Sequence, residues 1–170
     1  MTTPIQPDTK LSVHIDPYER GWMIAAAAML VVFAVAVTLA SYSLGIQLPG
    51  PEQRVNPQTI TTSGPWANPG LRQLSASKYE AYIVAHGVGW YFNPREFSVP
   101  VGSEVTFYVT SADVQHGFKL IGTNINMMII PGQVSTLTHK FDKPGQFNWV
   151  CHEYCGLGHA AMYGTVTVTQ

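Results

Sequence analysis

The chain has 170 residues, a net charge of −1 and only 11% charged residues. This length favours one folded domain with additional segments, and the near-neutral charge gives no reason to expect a nucleic-acid partner. The charged fraction is low for a soluble protein, and the cause is local: from Trp22 to Leu44 there are 23 residues without a charge.

This uncharged segment is long enough to cross a membrane. At about 1.5 Å per residue it would form a helix of roughly 34 Å, against a hydrocarbon core of about 30 Å. A cleaved signal peptide is the alternative, but its apolar region typically has about 7–15 residues and ends at a small-residue cleavage site. We therefore expect a retained transmembrane helix over residues 22–44, after a cytoplasmic N-terminus and helix start over residues 1–21.

The start of the helix is marked in the sequence. Asp16-Pro17-Tyr18-Glu19 is typical of an N-cap, a proline in the first turn and a glutamate that completes a capping box. Lys10 and Arg20 flank this side of the apolar segment, and only Arg54 lies close on the other side. The asymmetry favours a cytoplasmic N-terminus and an external C-terminal domain. We expect a single-pass protein in the lipid of a prokaryotic plasma membrane.

Residues 45–77 are predicted to form a proline-rich connector, because five of the twelve prolines fall between Pro49 and Pro69. Beyond it, apolar and polar residues alternate with a period of two, as in the segment 105–110. Turn signals such as Asn93-Pro94 and Pro131-Gly132 separate the alternating segments. Strands are predicted at residues 79–85, 104–111, 117–121, 126–130, 134–141, 146–150 and 165–169. Residues 78–170 therefore suit an all-β domain, a Greek-key β-sandwich or barrel.

Both cysteines of the chain lie in one short segment, Cys151–Met162, with the pattern C-x3-C-x3-H-x2-M. Thiolate, imidazole and thioether together favour copper over harder metals. A second cysteine allows both sulfurs to bridge two metals, so the pattern indicates a binuclear copper centre that carries electrons. A disulfide is one alternative, since the expected compartment is oxidising. Zinc is another, although it rarely uses methionine and usually takes four Cys or His donors.

A binuclear site needs a terminal nitrogen donor on each metal, so one histidine outside the metal loop should join His159. Three of the remaining five histidines are poor candidates. His14 precedes the membrane segment and lies on its wrong side. His139 falls in an alternating strand and is expected to face solvent. His152 lies between the cysteines and is expected to point away from the metals, toward a partner surface.

His116 is the best candidate for the second histidine ligand. It follows the predicted strand 104–111 through a short loop, and loops between strands are where a β-scaffold presents ligands. His86 is the second choice. The sequence alone leaves both open.

The chain resembles cytochrome c oxidase subunit II. Pro144-Gly145-Gln146-Phe147 leads into a C-x-E-x-C-G-x-x-H-x-x-M pattern that is similar to the family's copper-A loop. The segment 113–118, Asp-Val-Gln-His-Gly-Phe, is similar to its first histidine loop. The single span and the segment 122–126 look most like the short subunit II of B-family haem–copper oxidases. The resemblance implies a cupredoxin fold behind one N-terminal transmembrane helix.

The resemblance also implies the composition of the metal site. Its ligands would be the bridging thiolates of Cys151 and Cys155, the terminal imidazoles of His116 and His159, and two weak donors, the thioether of Met162 and the backbone carbonyl of Glu153. The chain itself would perform no oxygen chemistry and contain no catalytic residue. It would accept electrons from a soluble cytochrome c and pass them to a haem-bearing subunit I. Two other functions stay open: a copper-A domain that serves a nitric or nitrous oxide reductase, and a stand-alone membrane-anchored electron carrier.

The sequence departs from the wider family in three respects. One span replaces the usual two-helix hairpin, which suggests that a small single-helix subunit fills the gap. The family's aromatic stretch is reduced to Trp90-Tyr91-Phe92. From residue 46 onward there are seven acidic and seven basic residues, so no net field steers a basic donor. Docking is therefore expected to use apolar contacts near Trp90, Tyr91 and Leu157 and to depend weakly on salt.

Glu19 has two interpretations. Its position resembles that of a subunit II glutamate at a proton-uptake path in B-family oxidases. The alternative is the capping box, which explains the residue without a transport role.

Overall fold

The computed structural model describes residues 15–44 and 53–170. The described residues form two separate units, an N-terminal helix and a C-terminal β domain. His14, Lys10 and the first part of the expected connector, residues 45–52, lie outside the described residues.

The helix, α1, spans Pro17–Ser43. The expected N-cap and first-turn proline are present: the Asp16 side chain accepts a hydrogen bond from the Tyr18 backbone N–H at 2.8 Å, and Pro17 occupies the first turn. None of the side chains of α1 is buried within the chain. By length and composition α1 can cross a membrane, and it begins five residues before the uncharged segment because its polar first turn is also helical.

The β domain contains ten strands, β1 to β10 in chain order. They span Gly70–Gln73, Lys78–His86, Tyr91–Asn93, Glu96–Pro100, Glu104–Ser111, His116–Leu120, Asn126–Ile129, Ser135–Lys140, Gly145–Val150 and Tyr163–Thr169. All seven predicted strands are present, with ends that differ by at most two residues. The sequence analysis missed β1, β3 and β4, which have three to five residues each and are too short to show an alternating pattern.

The strands form two sheets that pack as a sandwich. One has the order β1-β2-β5-β8, with β3 also pairing with β2, and the other has the order β4-β10-β9-β6-β7. Two pairs are parallel, β2 with β5 and β4 with β10, and the others are antiparallel. Strands distant in sequence are therefore neighbours in space, as in a Greek key. The expected cupredoxin-like β-sandwich with an N-terminal apolar helix is confirmed.

An aromatic cluster fills the space between the sheets next to the strands that lead to the metal loop. The Phe118 ring lies 5.6 Å from Trp149, 5.8 Å from Phe107 and 5.5 Å from Phe92, and all four side chains are fully buried. Truncating such a residue to alanine typically costs about 3–5 kcal/mol. Because Phe118 follows His116 by two residues and Trp149 precedes Cys151 by two, the packing of these rings fixes the ends of β6 and β9.

The described part of the expected connector is packed onto the β domain. Ile60 and Trp66 are buried with Val84 and Val134, and the Trp66 indole N–H donates to the Tyr108 carbonyl at 3.3 Å. This part of the connector is thus packed as part of the β domain and is not a free spacer.

The expectation that His139 faces solvent is wrong in part. Its ring is half-buried, packs edge-on against Phe141 with ring centroids 4.9 Å apart, and places Nδ1 2.7 Å from Asn124 Oδ1. The turn between β6 and β7 supplies Asn124 and covers this side of β8, which strand periodicity alone does not reveal.

Candidate metal centre

Three side chains of the metal-ligand type meet at one end of the sandwich. His116 is the first residue of β6, Cys151 directly follows β9, and Cys155 lies in the loop beyond it. One donor atom from each lies within 4.8 Å of the other two. His116 is fully buried, Cys151 is buried and Cys155 is half-buried. The two ligand-bearing segments identified from sequence are therefore adjacent in the fold.

The two cysteines are free, with Sγ atoms 3.8 Å apart. A disulfide requires a separation of about 2.05 Å. Twice a typical metal–thiolate bond of about 2.3 Å is roughly 4.6 Å, so two sulfurs at this separation can both contact the same metals. The sulfur geometry suits a shared metal site better than a cross-link.

The remaining donor atoms implied by the resemblance surround these sulfurs. Cys151 Sγ lies 3.2 Å from the Glu153 carbonyl oxygen and 3.9 Å from His116 Nδ1. Cys155 Sγ lies 3.6 Å from His159 Nδ1 and 3.8 Å from Met162 Sδ. The structure thus brings all six expected donor atoms together. They are two cysteine sulfurs, two imidazole nitrogens, one thioether sulfur and one backbone carbonyl oxygen.

The loop that holds five of these donors is closed by its own backbone. The Cys151 N–H donates to the Met162 carbonyl at 3.0 Å, and His159–Ala161 form a short 3-10 turn. The Met162 side chain is buried beneath the loop at 2% exposure. The two ends of the loop are held together because β9 and β10 pair directly beside it, Val150 with Tyr163.

Glu153 faces the sulfurs through its backbone and not through its carboxylate. Its Oε1 lies 3.6 Å from His152 Nδ1. The His152 ring in turn covers Gly117, where an added Cβ would lie 2.7 Å from three ring atoms. The Gly117 N–H is 3.5 Å from Cys151 Sγ, and such N–H contacts to sulfur adjust the properties of a metal site.

Asp113 is the residue behind His116, and the sequence analysis did not identify it. Its Oδ1 lies 3.3 Å from His116 Nε2, which leaves Nδ1 directed at Cys151. Burial opposes ionisation of Asp113, but hydrogen bonds from Val114, Gly87 and other groups outweigh it and lower the pKa of the carboxyl. A carboxylate on the far nitrogen is the usual partner of a metal-binding histidine. The D-x-x-H spacing was the available signal.

Burial changes the pKa values of two of these donor side chains. Burial lowers the pKa of His116 despite the nearby Asp113 carboxylate, which favours the neutral imidazole that binds metals. Burial, reinforced by the charge of Cys151, raises the pKa of Cys155 to about 11. The metal-free thiol is therefore protonated at neutral pH, and metal binding would displace its proton.

The three residues expected to take part in docking have different environments. Leu157 is 93% exposed. Trp90 is partly buried, and its indole N–H donates to the Cys155 carbonyl at 3.3 Å. Tyr91 is half-buried and stacks on His86 with ring centroids 4.6 Å apart. His86, the second choice for the histidine ligand, is not part of the donor cluster found among the described residues.

Comparison with known proteins indicates the family. Residues 83–169 match the family described as the periplasmic domain of cytochrome c oxidase subunit II. The chain is 43% identical over 157 residues to cytochrome c oxidase subunit 2 of Thermus thermophilus, covering 90% of this chain and 92% of that protein. It is 37% identical over 81 residues to the nitrous-oxide reductase of Stutzerimonas stutzeri, covering 45% of this chain and 13% of that protein.

The fold leads to the same family. A chain in the solved structure of a heme-copper terminal oxidase dimer is 36% identical, with a TM-score of 0.73, and the match covers 89% of this chain and 99% of that one. The alignment includes nearly all of both chains and not the copper loop alone. The chain belongs to the cytochrome c oxidase subunit II family.

Proposed function

We propose that this chain holds a binuclear copper centre, accepts electrons there from a soluble cytochrome c and passes them to the haem-bearing subunit of a terminal oxidase. The observation that carries the proposal is the pair of free cysteine sulfurs, 3.8 Å apart, with two imidazoles, a thioether and a carbonyl around them. Thiolate and thioether sulfurs are soft ligands, and together with imidazole they suit copper.

As a cytochrome c oxidase subunit, the chain is a component of a haem–copper oxidoreductase complex, and its β domain is the copper domain of that family. The proposed partners are subunit I, which would contain the haem, and a small single-helix subunit beside α1. A nitrous oxide reductase is the weaker alternative because that match covers less than half of this chain.

The proposed ligand assignment follows the distances at the site. Cys151 and Cys155 would bridge the coppers, His116 and His159 would each bind one copper through Nδ1, and Met162 Sδ and the Glu153 carbonyl would be weak donors. When bound, a copper pair that shares two thiolates spreads one charge over four atoms, so bond lengths change little when an electron arrives. The protein would contribute rigidity: β6, β9 and β10 hold the donors, and burial of His116 and Met162 excludes water.

The surface around the loop supports an apolar mode of docking. Leu157 and Val88 are 93% and 83% exposed, and Tyr154 is 77% exposed. Leu157 lies between Gly156 and Gly158, both of which contact the Trp90 indole. The hydrogen bond from Trp90 to the Cys155 carbonyl would connect the docked donor to a bridging cysteine.

The proposed topology places the N-terminus in the prokaryotic cytoplasm, α1 in lipid and the β domain outside. Glu19 lies in the first turn of α1, at the cytoplasmic end in this orientation, where we propose that it serves proton uptake. In the assembled oxidase, Glu19→Gln should slow turnover and proton uptake together. Unchanged rates for both would contradict a role of Glu19 in proton uptake.

Purification of the native complex from membranes tests the function most broadly. We expect the chain to co-purify with a haem-bearing subunit, with copper on this chain and with oxygen uptake driven by reduced cytochrome c. A chain isolated without haem partners would support the stand-alone carrier instead. Reduction of nitric or nitrous oxide by the purified complex would support a reductase.

A further inference from the structure

A loop that contains none of the proposed ligands lies against both segments that do. Residues 87–90, the bridging loop, connect β2 to β3. One side of the loop contacts Asp113, three residues before His116, and the other side contacts the segment from Cys155 to Gly158. The loop therefore spans the two segments of chain that supply the ligands.

The first contact is a carboxylate shared between the bridging loop and His116. The Gly87 N–H donates to both oxygens of Asp113, at 2.9 and 2.7 Å, and the Val88 N–H donates to Oδ2 at 3.2 Å. The same Oδ1 lies 3.3 Å from His116 Nε2. A Cβ on Gly87 would lie 2.9 Å from Val114 Cγ2 and 3.2 Å from Asp113 Oδ1, so a side chain there would disturb the contact with the carboxylate. One carboxylate thus holds the loop and orients the imidazole.

The second contact is the Trp90 indole on the metal loop. Its N–H donates to the Cys155 carbonyl at 3.3 Å. A Cβ on Gly156 would lie 2.7 Å from Trp90 Nε1, and a Cβ on Gly158 would clash with the indole ring. The absence of side chains at these two glycines therefore leaves room for the indole ring beside the loop.

The backbone of the loop is strained in a way that these contacts explain. Trp90 has a φ of 48°, a left-handed conformation that is unfavourable for a residue with a side chain. The positive φ values of Gly89 and Trp90 turn the chain between the paired residues His86 and Tyr91, and the Trp90 indole then meets the segment from Cys155 to Gly158. The conformation persists because Asp113 holds one end of the loop and the indole holds the other.

We propose that the bridging loop is a brace that sets the position of His116 relative to Cys155, with Asp113 and Trp90 as its positioning residues. Only the copper measurements in its test rest on the function proposed above. The brace itself is a property of the polypeptide and can be measured without metal.

The test of the first contact is Asp113→Asn in the full-length chain in detergent. The asparagine amide can keep an oxygen at the Oδ1 position, where it faces Val114 and His116. Its NH2 group then replaces Oδ2 and faces the N–H groups of Gly87 and Val88, which can no longer donate to it. In the metal-free protein, hydrogen exchange at the Gly87 and Val88 amides should become at least about tenfold faster. In the loaded protein, copper should pass to a chelator about tenfold faster. Asp142→Asn is the matched control, because Asp142 is an exposed carboxylate in a surface ion pair with Lys140 at 3.1 Å.

The test of the second contact is Trp90→Phe, which removes the indole N–H and retains an aromatic ring. Copper loss should again be faster, and the visible absorption bands of the loaded site should shift because the Cys155 carbonyl loses its donor. Trp66→Phe is the matched control, because the Trp66 indole also donates to a backbone carbonyl, that of Tyr108, at 3.3 Å. This variant should leave the rate of copper loss and the absorption bands unchanged.

Unchanged exchange at Gly87 and Val88 in Asp113→Asn would overturn the brace, as would copper loss equal to that of the two control variants. A chain that binds a single copper would contradict the proposed binuclear site but not the brace. The brace would still be tested by amide exchange in the metal-free protein.

Discussion

The sulfur atoms of Cys151 and Cys155 lie 3.8 Å apart in a chain whose two cysteines are both free. Each sulfur also has a different imidazole beside it, His116 Nδ1 at 3.9 Å from Cys151 and His159 Nδ1 at 3.6 Å from Cys155. The site therefore has near two-fold symmetry in its strong donors: two sulfurs in the middle and one nitrogen at each end.

Removal of one sulfur should convert the site from two metals to one. Cys155→Ser leaves a single thiolate, which cannot form the second bridge. We expect copper content to fall from two per chain to one or fewer, with loss of the purple colour. Metal analysis and visible spectra of the loaded protein measure this. A variant that retains two coppers and the original spectrum would show that Cys155 is not a bridge.

The Glu153 side chain should be dispensable for metal binding. Its carbonyl lies 3.2 Å from Cys151 Sγ, whereas its carboxylate lies beside His152. Glu153→Gln should therefore retain the copper stoichiometry, with any change in copper dissociation below about threefold. Cys155→Ser is the contrasting variant. Copper loss from Glu153→Gln as complete as that from Cys155→Ser would mean that the carboxylate is the donor.

Electron transfer from the donor should depend on apolar surface and little on salt. Leu157→Ala removes a 93% exposed side chain and should lower the second-order rate about tenfold, equivalent to roughly 1.4 kcal/mol of docking free energy. Stopped-flow reduction by cytochrome c measures the rate. The control is Leu74→Ala, since Leu74 is also exposed but lies at the opposite end of β2 from His86. A rate that falls steeply with added salt would contradict apolar docking.

Stability should decline in mild acid, partly because of His139. Burial lowers the pKa of His139 below its ordinary value of 6.5, although Asp142 acts in the opposite direction. The unfolded chain therefore binds this proton more readily, and the stability that neutral His139 provides is lost as the pH falls through 6.5 toward the lower folded pKa.

The variant His139→Gln isolates this contribution, because glutamine retains a donor for Asn124 without titrating. The free energy of unfolding should fall less between about pH 7.5 and about pH 5.5 in the variant than in the parent chain. Chemical denaturation of the full chain at both pH values gives this difference. Equal declines in both proteins would remove His139 from the explanation.

The sequence allowed most of the sandwich to be predicted where strands were long and alternating. Strand β5, residues 104–111, was predicted to the residue. The three-residue β3 carries no periodic signal, and its position depends on pairing with β2 at His86, Ala85 and Val84. Pairing of this kind is tertiary and cannot be read from a local pattern.

The candidate metal site shows the same difference between features that a local pattern predicts and features that depend on tertiary contacts. The candidate donors in the loop can be predicted from the sequence because soft donors at short spacing are rare, and the place of His116 after β5 favours it over His86. The contact of Asp113 with Val88 and that of Trp90 with Cys155 cannot be predicted from a local pattern, because they join residues 25 and 65 positions apart. The glycines at 156 and 158 have no chemistry of their own, and their role becomes visible only when the indole is in place.

The most direct test of the account is the metal content and spin distribution of the full-length chain loaded with copper. We expect two coppers per chain and, in the oxidised protein, an electron paramagnetic resonance hyperfine pattern from one unpaired electron shared equally by both nuclei. One copper per chain, with the spin on a single nucleus and the cysteines joined in a disulfide, would contradict the binuclear centre.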